Sequence, residues 1–165
     1  MVRPDSREIE GLRDIFDFRN RYDVFLACPF EECELTDEAL RKKTFTFYDH
    51  VGDVIEKIGK KPYIPHKEID FSWDCGKIYS ISNSIVMPTC DAAVGYLGIP
   101  STAAGIMIGR ARTYVVPLIY LYNNESALRE VLACSTNHIS YDCIQYSDEN
   151  DCLKKLETSL RSFYE

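Results

Sequence analysis

The sequence contains no long apolar run and no excess of positive charge. No stretch approaches the roughly 20 apolar residues that a membrane-spanning helix needs. Lys and Arg number 19 against 26 Asp and Glu, a net charge of −7, so no basic stripe is available for polymeric nucleic acid or for an anionic membrane. The charged N-terminal residues also lack the apolar stretch of a signal peptide. These absences predict a soluble cytoplasmic protein whose partners include neither a membrane nor polymeric nucleic acid.

The seven cysteines contain no C-x-x-C pair. Disulfide frameworks belong mainly to small secreted proteins, and a zinc site needs paired ligands at short spacing. Only Cys28 and Cys33 come near such spacing. The cysteines are therefore predicted to be buried free thiols, and neither a metal nor a cofactor is expected.

Composition and length indicate one globular domain. The chain has 165 residues, of which 45% are apolar and 27% charged, and no repeat, low-complexity tract or linker interrupts it. Residues 22–165 are predicted to form the domain. Residues 1–21 precede it as a helical extension, whose amphipathic segment 5–18 is expected to pack on the domain or on a second subunit.

Short apolar runs alternate with helical patterns along the chain. Several runs are almost continuously apolar, as in parallel strands that are covered on both faces. The five predicted strands are 22–27, 62–65, 92–97, 115–122 and 138–146. The helices between them begin or end at capping residues or helix breakers. These signals are Thr36 with Asp37, Gly59, Pro88, Ser101, Ser126, and Ser147 or Asp148.

This alternation predicts an α/β fold with a doubly wound, five-stranded parallel sheet of flavodoxin-like or Rossmann-like order, 2-1-3-4-5. In such a sheet the ligand crevice lies where the strand order reverses, beyond the carboxyl ends of strands 1 and 3. Two loops are therefore expected in the pocket. They are Cys28-Pro29-Phe30 after strand 1 and Gly98-Ile99-Pro100-Ser101 after strand 3.

The loop after strand 3 opens a helix and has small residues at 101–105. Small side chains let a ligand approach the backbone, and the N–H groups and dipole of a helix N-terminus favour an anion such as phosphate. Ser101 can cap the helix and donate its hydroxyl group to that anion. Close packing of the helix against the sheet explains the small residues equally well. The segment is neither a Walker A loop nor a G-x-G-x-x-G fingerprint.

The same segment carries a family resemblance. Pro100-Ser101-x-x-x-Gly105-x-x-x-Gly109-Arg110-Ala111 resembles the P-S-x-G-x-G-x-E-x-G-x-A signature of the nucleoside 2-deoxyribosyltransferase superfamily. It is especially similar to the 2′-deoxynucleoside 5′-phosphate N-hydrolases. Further similarities extend over residues 22–165. They lie at Tyr22–Phe30, Phe47–Gly59, Pro65–His66, Cys90–Val94 and Ser126–Ala127.

The resemblance implies an enzyme that cleaves an N-glycosidic bond with a glutamate nucleophile and an acid that protonates the leaving base. The matching positions hold Met107 for the glutamate, Asn83 for the acid and Phe25 for a tyrosine. A thioether is a poor nucleophile toward a sugar carbon, and an amide cannot donate a proton at neutral pH. Loss of a nucleophile alone can lower a rate by about 10⁶. We therefore predict no family-type catalysis and assign no catalytic residue.

Binding of a nucleotide or nucleoside is predicted to survive, which indicates a sensor, sequestering or regulatory role. Ser101, Ser126 and the helix N-terminus remain, although Ala103 replaces a family glycine beside the phosphate. The resemblance further implies a homodimer in which Ser126 reaches the phosphate site of the neighbouring subunit. The predicted ligand-contacting residues are Cys28, Pro29, Phe30, His66, Asp91, Gly98, Pro100, Ser101, Thr102, Ala103, Gly105, Met107 and Ser126.

Two alternative functions remain open. An active N-glycosidase or deoxyribosyltransferase with relocated carboxylates would use Glu68, Asp70 or Asp74. A nucleophilic pair of Cys28 and His66 is also conceivable. A structural or interaction subunit would instead have its former pocket filled by the Met107 side chain, because thioethers fill gaps well.

Overall fold

The computed structural model describes residues 22–29, 37–69, 75–133 and 140–165. The predicted helical extension at 1–21, the predicted pocket residue Phe30, and the alternative carboxylates Asp70 and Asp74 lie outside these ranges.

Five strands form one sheet in the order β2-β1-β3-β4-β5. Every neighbouring pair is parallel, and the register places Phe25 beside Tyr63 on one side and beside Ala93 on the other. The strands are β1 (Val24–Ala27), β2 (Pro62–Tyr63), β3 (Ala92–Tyr96), β4 (Leu118–Tyr122) and β5 (Ser140–Gln145). The predicted doubly wound α/β fold and its strand order are confirmed.

The fourth strand is shorter than its apolar run. Val115 has a φ of 61° and donates its N–H to Arg112 O, so it still belongs to the turn that ends the preceding helix. A β-branched residue in this left-handed region is unusual. Pro117 then lacks the N–H group that a central strand needs. The strand therefore begins only at Leu118.

Helices fill the connections between the strands, in the positions that the helical patterns indicate. A short additional helix, which the sequence patterns did not predict, follows β2. The helices are α1 (Glu38–Lys57), α2 (Pro65–Glu68), α3 (Cys75–Tyr79), α4 (Thr102–Thr113), α5 (Glu125–Ala133) and α6 (Glu149–Tyr164). Within the described ranges, no helix combines the length and apolar character needed to cross a membrane.

Capping side chains set where the long helices start. Asp37, Ser101 and Asp148 each accept a hydrogen bond from the backbone N–H three residues further on, at 2.9–3.0 Å. Such a cap stabilises a helix by about 1 kcal/mol. Helix α1 ends before Gly59, whose φ of 77° is the left-handed conformation that glycine adopts at low cost. The Ser101 cap and the glycine stop were predicted and are confirmed. For α1 the cap is Asp37 of the predicted Thr36–Asp37 pair, and for α6 it is Asp148, one of the two predicted alternatives.

The helix predicted to end at Pro88 is only partly α-helical. After α3 the chain continues as a π-helix over Ser80–Val86 and as a 3-10 turn over Met87–Thr89. A π-helix has more residues per turn than an α-helix, so the directions of successive side chains shift along it. Ser82 and Asn83 both point inward here and are buried. The Ser82 hydroxyl group lies 2.8 Å from the Tyr63 hydroxyl group, which satisfies both in the interior.

Two apolar layers enclose the sheet. One face packs against α4 and the 75–89 segment and includes Phe25, Tyr63, Met107, Ile108 and Tyr120. The other face packs against α1 and α6 and includes Phe47, Tyr48, Tyr96, Leu121 and Leu156. Because both faces are covered, the carboxyl ends of the strands are where a ligand can meet the backbone.

Candidate functional site

A groove of about 400 Å³ opens at the carboxyl ends of β3, β4 and β5, between the N-terminal ends of α1 and α6. This volume is within the range of small-molecule sites. Its lining residues are Leu40, Lys43, Thr44, Phe47, Tyr96, Gly98, Ile99, Asn123, Tyr146, Asp148 and Glu149. The groove therefore includes the strand-3 loop that the sequence indicates, but it extends toward β5 on the face covered by α1 and α6.

A second depression of about 810 Å³ runs along the edge strand β5 and the side of α6. It is shallow and follows the flank of the domain. Lys155 donates to Gln145 O there, and Asp142 accepts from the Cys143 N–H, so side chains satisfy part of the strand edge. Such protection prevents pairing with another strand. We place the candidate site in the smaller groove at the strand ends.

Aromatic rings form the wall of the groove. The ring of Tyr96 lies 5.3 Å from that of Phe47 and packs edge-on against that of Tyr48 at 5.5 Å. The hydroxyl groups of Tyr96 and Tyr146 are hydrogen-bonded to each other. Burial raises the pKa of both tyrosines. Both therefore remain protonated near neutral pH and present hydroxyl hydrogen-bonding groups on an otherwise apolar wall.

Gly98 is packed directly on this pair of tyrosine hydroxyl groups. A Cβ atom at position 98 would lie closer than 3.0 Å to Tyr96 Oη and to Tyr146 Oη. Real Cβ atoms essentially never approach other atoms so closely. Glycine therefore allows the loop after β3 to lie against the two hydroxyl groups, and this contact holds the loop at the groove.

The predicted anion site is the N-terminus of α4. Ser101 caps this helix by accepting from Ala104 N at 2.9 Å. Pro100, Thr102 and Gly105 are exposed there, whereas Ala103 is 2% exposed and points into the core. The Ala103 methyl group thus packs against the sheet side of the helix. A Cβ atom at Gly105 would meet no other atom within 4 Å.

The three positions that the family resemblance marks as catalytic are buried on the opposite face of the sheet. Met107 and Phe25 are 0% exposed and belong to one apolar cluster, in which the Phe25 ring stacks on the Tyr63 ring at 4.9 Å. Asn83 is 3% exposed, and its Oδ1 atom has no hydrogen-bond partner among the described residues. None of the three lines the groove.

Cys28 and Pro29 follow β1 and are buried. The Cys28 thiol lies beside the Tyr48 hydroxyl group, whose pKa is raised by burial and by this neighbour. In the part of the chain that the structure describes, Cys28, Cys90 and Cys152 are buried free thiols, as predicted, while Cys143 is exposed. Over the same ranges, no three His, Cys, Asp or Glu side chains form a metal-binding group.

His66 lies in α2 and is held in place by α1. Its Nε2 atom is 2.9 Å from Asp49 Oδ1, and its ring stacks on Phe45 at 4.4 Å between centroids. Burial lowers the pKa of His66, and the Asp49 hydrogen bond offsets this only in part. For Asp49, burial opposes ionisation, but hydrogen bonds from Lys67 and His66 outweigh it and lower the pKa of the carboxyl group.

These shifts predict that stability falls as the pH is lowered. The native state holds His66 neutral below its ordinary pKa, so the unfolded state binds more protons once the pH drops below about 6.5. Urea unfolding from about pH 7 to about pH 5 should therefore show a fall in the free energy of unfolding that His66→Gln reduces. His50→Gln is the comparison, at an exposed histidine whose Nδ1 atom lies 2.5 Å from Glu149 Oε1, and it should not reduce the slope. An unchanged slope in His66→Gln contradicts the assignment.

The remaining predicted contacts are dispersed. Asp91 precedes β3, so it lies at the amino ends of the strands, where its N–H donates to Asp23 O and its carboxylate is 3.7 Å from Lys60 Nζ. The structure does not bring Asp91 together with Gly98 and Ser101, because the length of β3 separates them. Ser126 is exposed at the start of α5, beyond the carboxyl end of β4.

Glu68 is the one alternative carboxylate within the described ranges. It accepts a hydrogen bond from the Tyr22 hydroxyl group, and Tyr22 precedes β1 at the amino ends of the strands. This contact turns Glu68 away from the groove, among whose lining residues it does not occur.

Two solved structures share this fold. A CMP N-glycosidase of Clostridium botulinum, BcmB, superimposes with a TM-score of 0.54 and 21% sequence identity, over 82% of this chain and 98% of that one. A conserved protein from Enterococcus faecalis V583 superimposes with a TM-score of 0.51 and 14% sequence identity. The superposition covers 83% of this chain and 98% of that one. At such identities the likeness shows the fold alone. No protein-family model and no curated protein sequence matches the chain.

Most of the groove was missed by sequence reasoning. Of the predicted contacts that the structure describes, Gly98 alone lines it, and Ile99 of the same predicted loop lines it as well. Asn123 and Tyr146 follow β4 and β5 directly, so the rule that ligands lie beyond strand carboxyl ends would have found them if it had been applied to all five strands. Lys43 and Phe47 carried no signal, because their place on α1 looks like that of any amphipathic helix.

Proposed function

We propose that this chain binds a nucleotide or nucleoside in the groove between α1 and α6 and acts as a sensor, a sequestering protein or a regulatory subunit. The observation that carries the proposal is the groove itself, an aromatic wall with convergent hydroxyl groups at the carboxyl ends of a doubly wound sheet. The shared fold with a CMP N-glycosidase supports a ligand of this class.

We further propose that the family-type N-glycosidase reaction is absent. An attacking carboxylate must reach the sugar carbon, whereas position 107 holds a thioether that is 0% exposed. Asn83 is equally enclosed and offers no acidic proton. The neighbour's activity is therefore not carried over to this chain.

A cytoplasmic homodimer is part of the same proposal. The exposed position of Ser126 at the start of α5 supports its role as a contact across subunits. The outward side of α4 also presents Ile106, which is 45% exposed, and Tyr114 and Val115 at its end are exposed. Exposed apolar residues grouped on one helix suit an interface between protein surfaces.

The proposal is tested by thermal unfolding with the common nucleosides and their 5′-monophosphates. A ligand at about 100 times its Kd stabilises the native state by about 2.7 kcal/mol, which should raise Tm by roughly 5–10 °C in a domain of this size. Phe47→Ala should abolish the shift, whereas Ile106→Ala, on the outside of α4, should keep it. Chromatography should show no free base. A flat response to every compound contradicts binding, and base release contradicts the loss of catalysis.

A second candidate function is that of an interaction subunit. The complete burial of Met107 in the apolar cluster favours it, because this side chain occupies the place where the family's nucleophile would stand. This candidate expects no thermal shift with any nucleotide and a protein partner that binds the full chain.

A further inference from the structure

The groove carries an unfavourable charge balance for a phosphate group. Among the described residues that line it, Lys43 is the one cation, while Asp148 and Glu149 supply two carboxylates. The Glu149 carboxylate lies 2.5 Å from Nδ1 of His50, which is outside the lining. Arg41 and Lys42 are on the same turn as Lys43 but do not line the groove. The groove walls therefore bear a net negative charge, which repels an anionic ligand.

The N-termini of α1 and α6, the two helices that line the groove, are each capped by one of the chain's own acids. Asp37 accepts from Leu40 N at the start of α1, and Asp148 accepts from Asp151 N at the start of α6. The Asp151 carboxylate in turn accepts from Ser147 N. Helix N-termini attract anions through free N–H groups and the helix dipole. Here an internal carboxylate accepts from one N–H group at each of these two helix starts and places a negative charge at the positive end of the dipole.

The rest of the lining suits an uncharged ring that carries hydroxyl groups. Phe47 and Tyr96 offer faces and edges for an aromatic ring. The Tyr146 hydroxyl group, the Thr44 side chain and the Asn123 amide supply neutral donors and acceptors around it. A heterocyclic base attached to a sugar matches this combination of surfaces.

We propose that the α1–α6 groove selects an unphosphorylated nucleoside over the corresponding 5′-monophosphate. The selection is by repulsion: Asp148 and Glu149 line the groove, and acidic side chains cap the N-termini of α1 and α6, the two helices that form its walls. This inference rests on the proposed function, because it names which member of the nucleotide or nucleoside class the groove takes. The ligand site of this proposal does not include the buried residues Phe25, Asn83 and Met107, which lie on the other face of the sheet.

The size of the preference follows from Coulomb's law. A 5′-phosphate carries a charge between about −1.5 and −2 near neutral pH. One net negative charge at about 7 Å in a water-like dielectric weakens its binding roughly five- to tenfold. The penalty should shrink at high salt, because mobile ions screen exposed charges over about 10 Å at 0.1 M.

The test measures Kd by calorimetry for matched pairs, each nucleoside against its own 5′-monophosphate, with the full-length chain at low salt. At least one nucleoside should bind roughly five- to tenfold more tightly than its monophosphate. The double variant with Asp148→Asn and Glu149→Gln should bring the two Kd values together. Asparagine caps helices as well as aspartate, so α6 is retained.

Asp53→Asn is the matched control. It removes one carboxylate from α1 about 15 Å along the helix from Lys43, where Asp53 is exposed and outside the groove, and should leave the preference unchanged. Tighter binding of the monophosphate, or a preference that the double variant does not alter, overturns the selection while the proposed function stands. If neither compound of any pair binds, the proposed function and the selection fail together.

Discussion

Replacing Met107 by glutamate, the residue that the family signature has at this position, should destabilise the protein by about 3–5 kcal/mol and should not create N-glycosidase activity. Met107 is 0% exposed and packs in the cluster that contains Phe25 and Ile108. A carboxylate there would lose its hydration, because the side chain at this position is fully enclosed among apolar and tyrosine side chains. The group would stay protonated, and a neutral carboxyl group is not a nucleophile.

Urea unfolding followed by circular dichroism measures this loss. Met107→Leu is the matched control and should cost less than about 1.5 kcal/mol, because it conserves volume and polarity. The activity of both variants is assayed as free base released from deoxynucleoside monophosphates. A stable Met107→Glu protein that releases base would show that the pocket on this face is accessible, contrary to its burial here.

Gly98→Ala should abolish ligand binding in the groove and lower the free energy of unfolding by about 1–3 kcal/mol. The added Cβ atom would lie closer than 3.0 Å to the hydroxyl groups of Tyr96 and Tyr146. Both rings are packed against other aromatic side chains or the sheet, so neither can move away without disturbing the wall of the groove. The loop from Gly98 to Ser101 must shift instead.

Gly105→Ala is the matched control for this substitution. Position 105 lies within α4, and a Cβ atom there meets nothing within 4 Å. Alanine is favoured over glycine in a helix interior by about 0.5–1 kcal/mol, so this variant should be slightly more stable than the parent. Thermal unfolding with and without nucleoside measures both effects. Normal ligand affinity in Gly98→Ala would mean that the contact with the two tyrosines does not position the loop.

The two substitutions probe opposite faces of the same sheet. Residues on β1, β3 and β4 alternate between these faces, so Phe25 and Ala93 point toward α4, while Val94 and Tyr96 point toward α1. The family signature identifies positions on the α4 face, and the groove lies on the α1 face. If Met107→Glu mainly lowers stability and Gly98→Ala mainly lowers ligand binding, the two faces have these different roles.

Local sequence signals were sufficient for the architecture. Five apolar runs separated by helical patterns allow few chain paths, because parallel strands need right-handed crossovers covered by helices. The caps at Ser101 and Asp148 and the stop at Gly59 act through their own backbone, so their effect can be read within a few residues. The substitutions at Phe25, Asn83 and Met107 were likewise visible without any structure.

The groove was decided by tertiary packing. Lys43, Tyr96 and Tyr146 are about 50 residues apart along the chain and meet only because α1 and α6 pack on one face beside three adjacent strand ends. The π-helical segment over Ser80–Val86 also depends on packing, since its backbone geometry places Ser82 and Asn83 in the interior. The sequence by itself therefore determined the strand order and the starts of the long helices, which depend on local chemistry. Which face of the sheet opens to a ligand, and with what charge, depends on side chains that only the folded chain brings together.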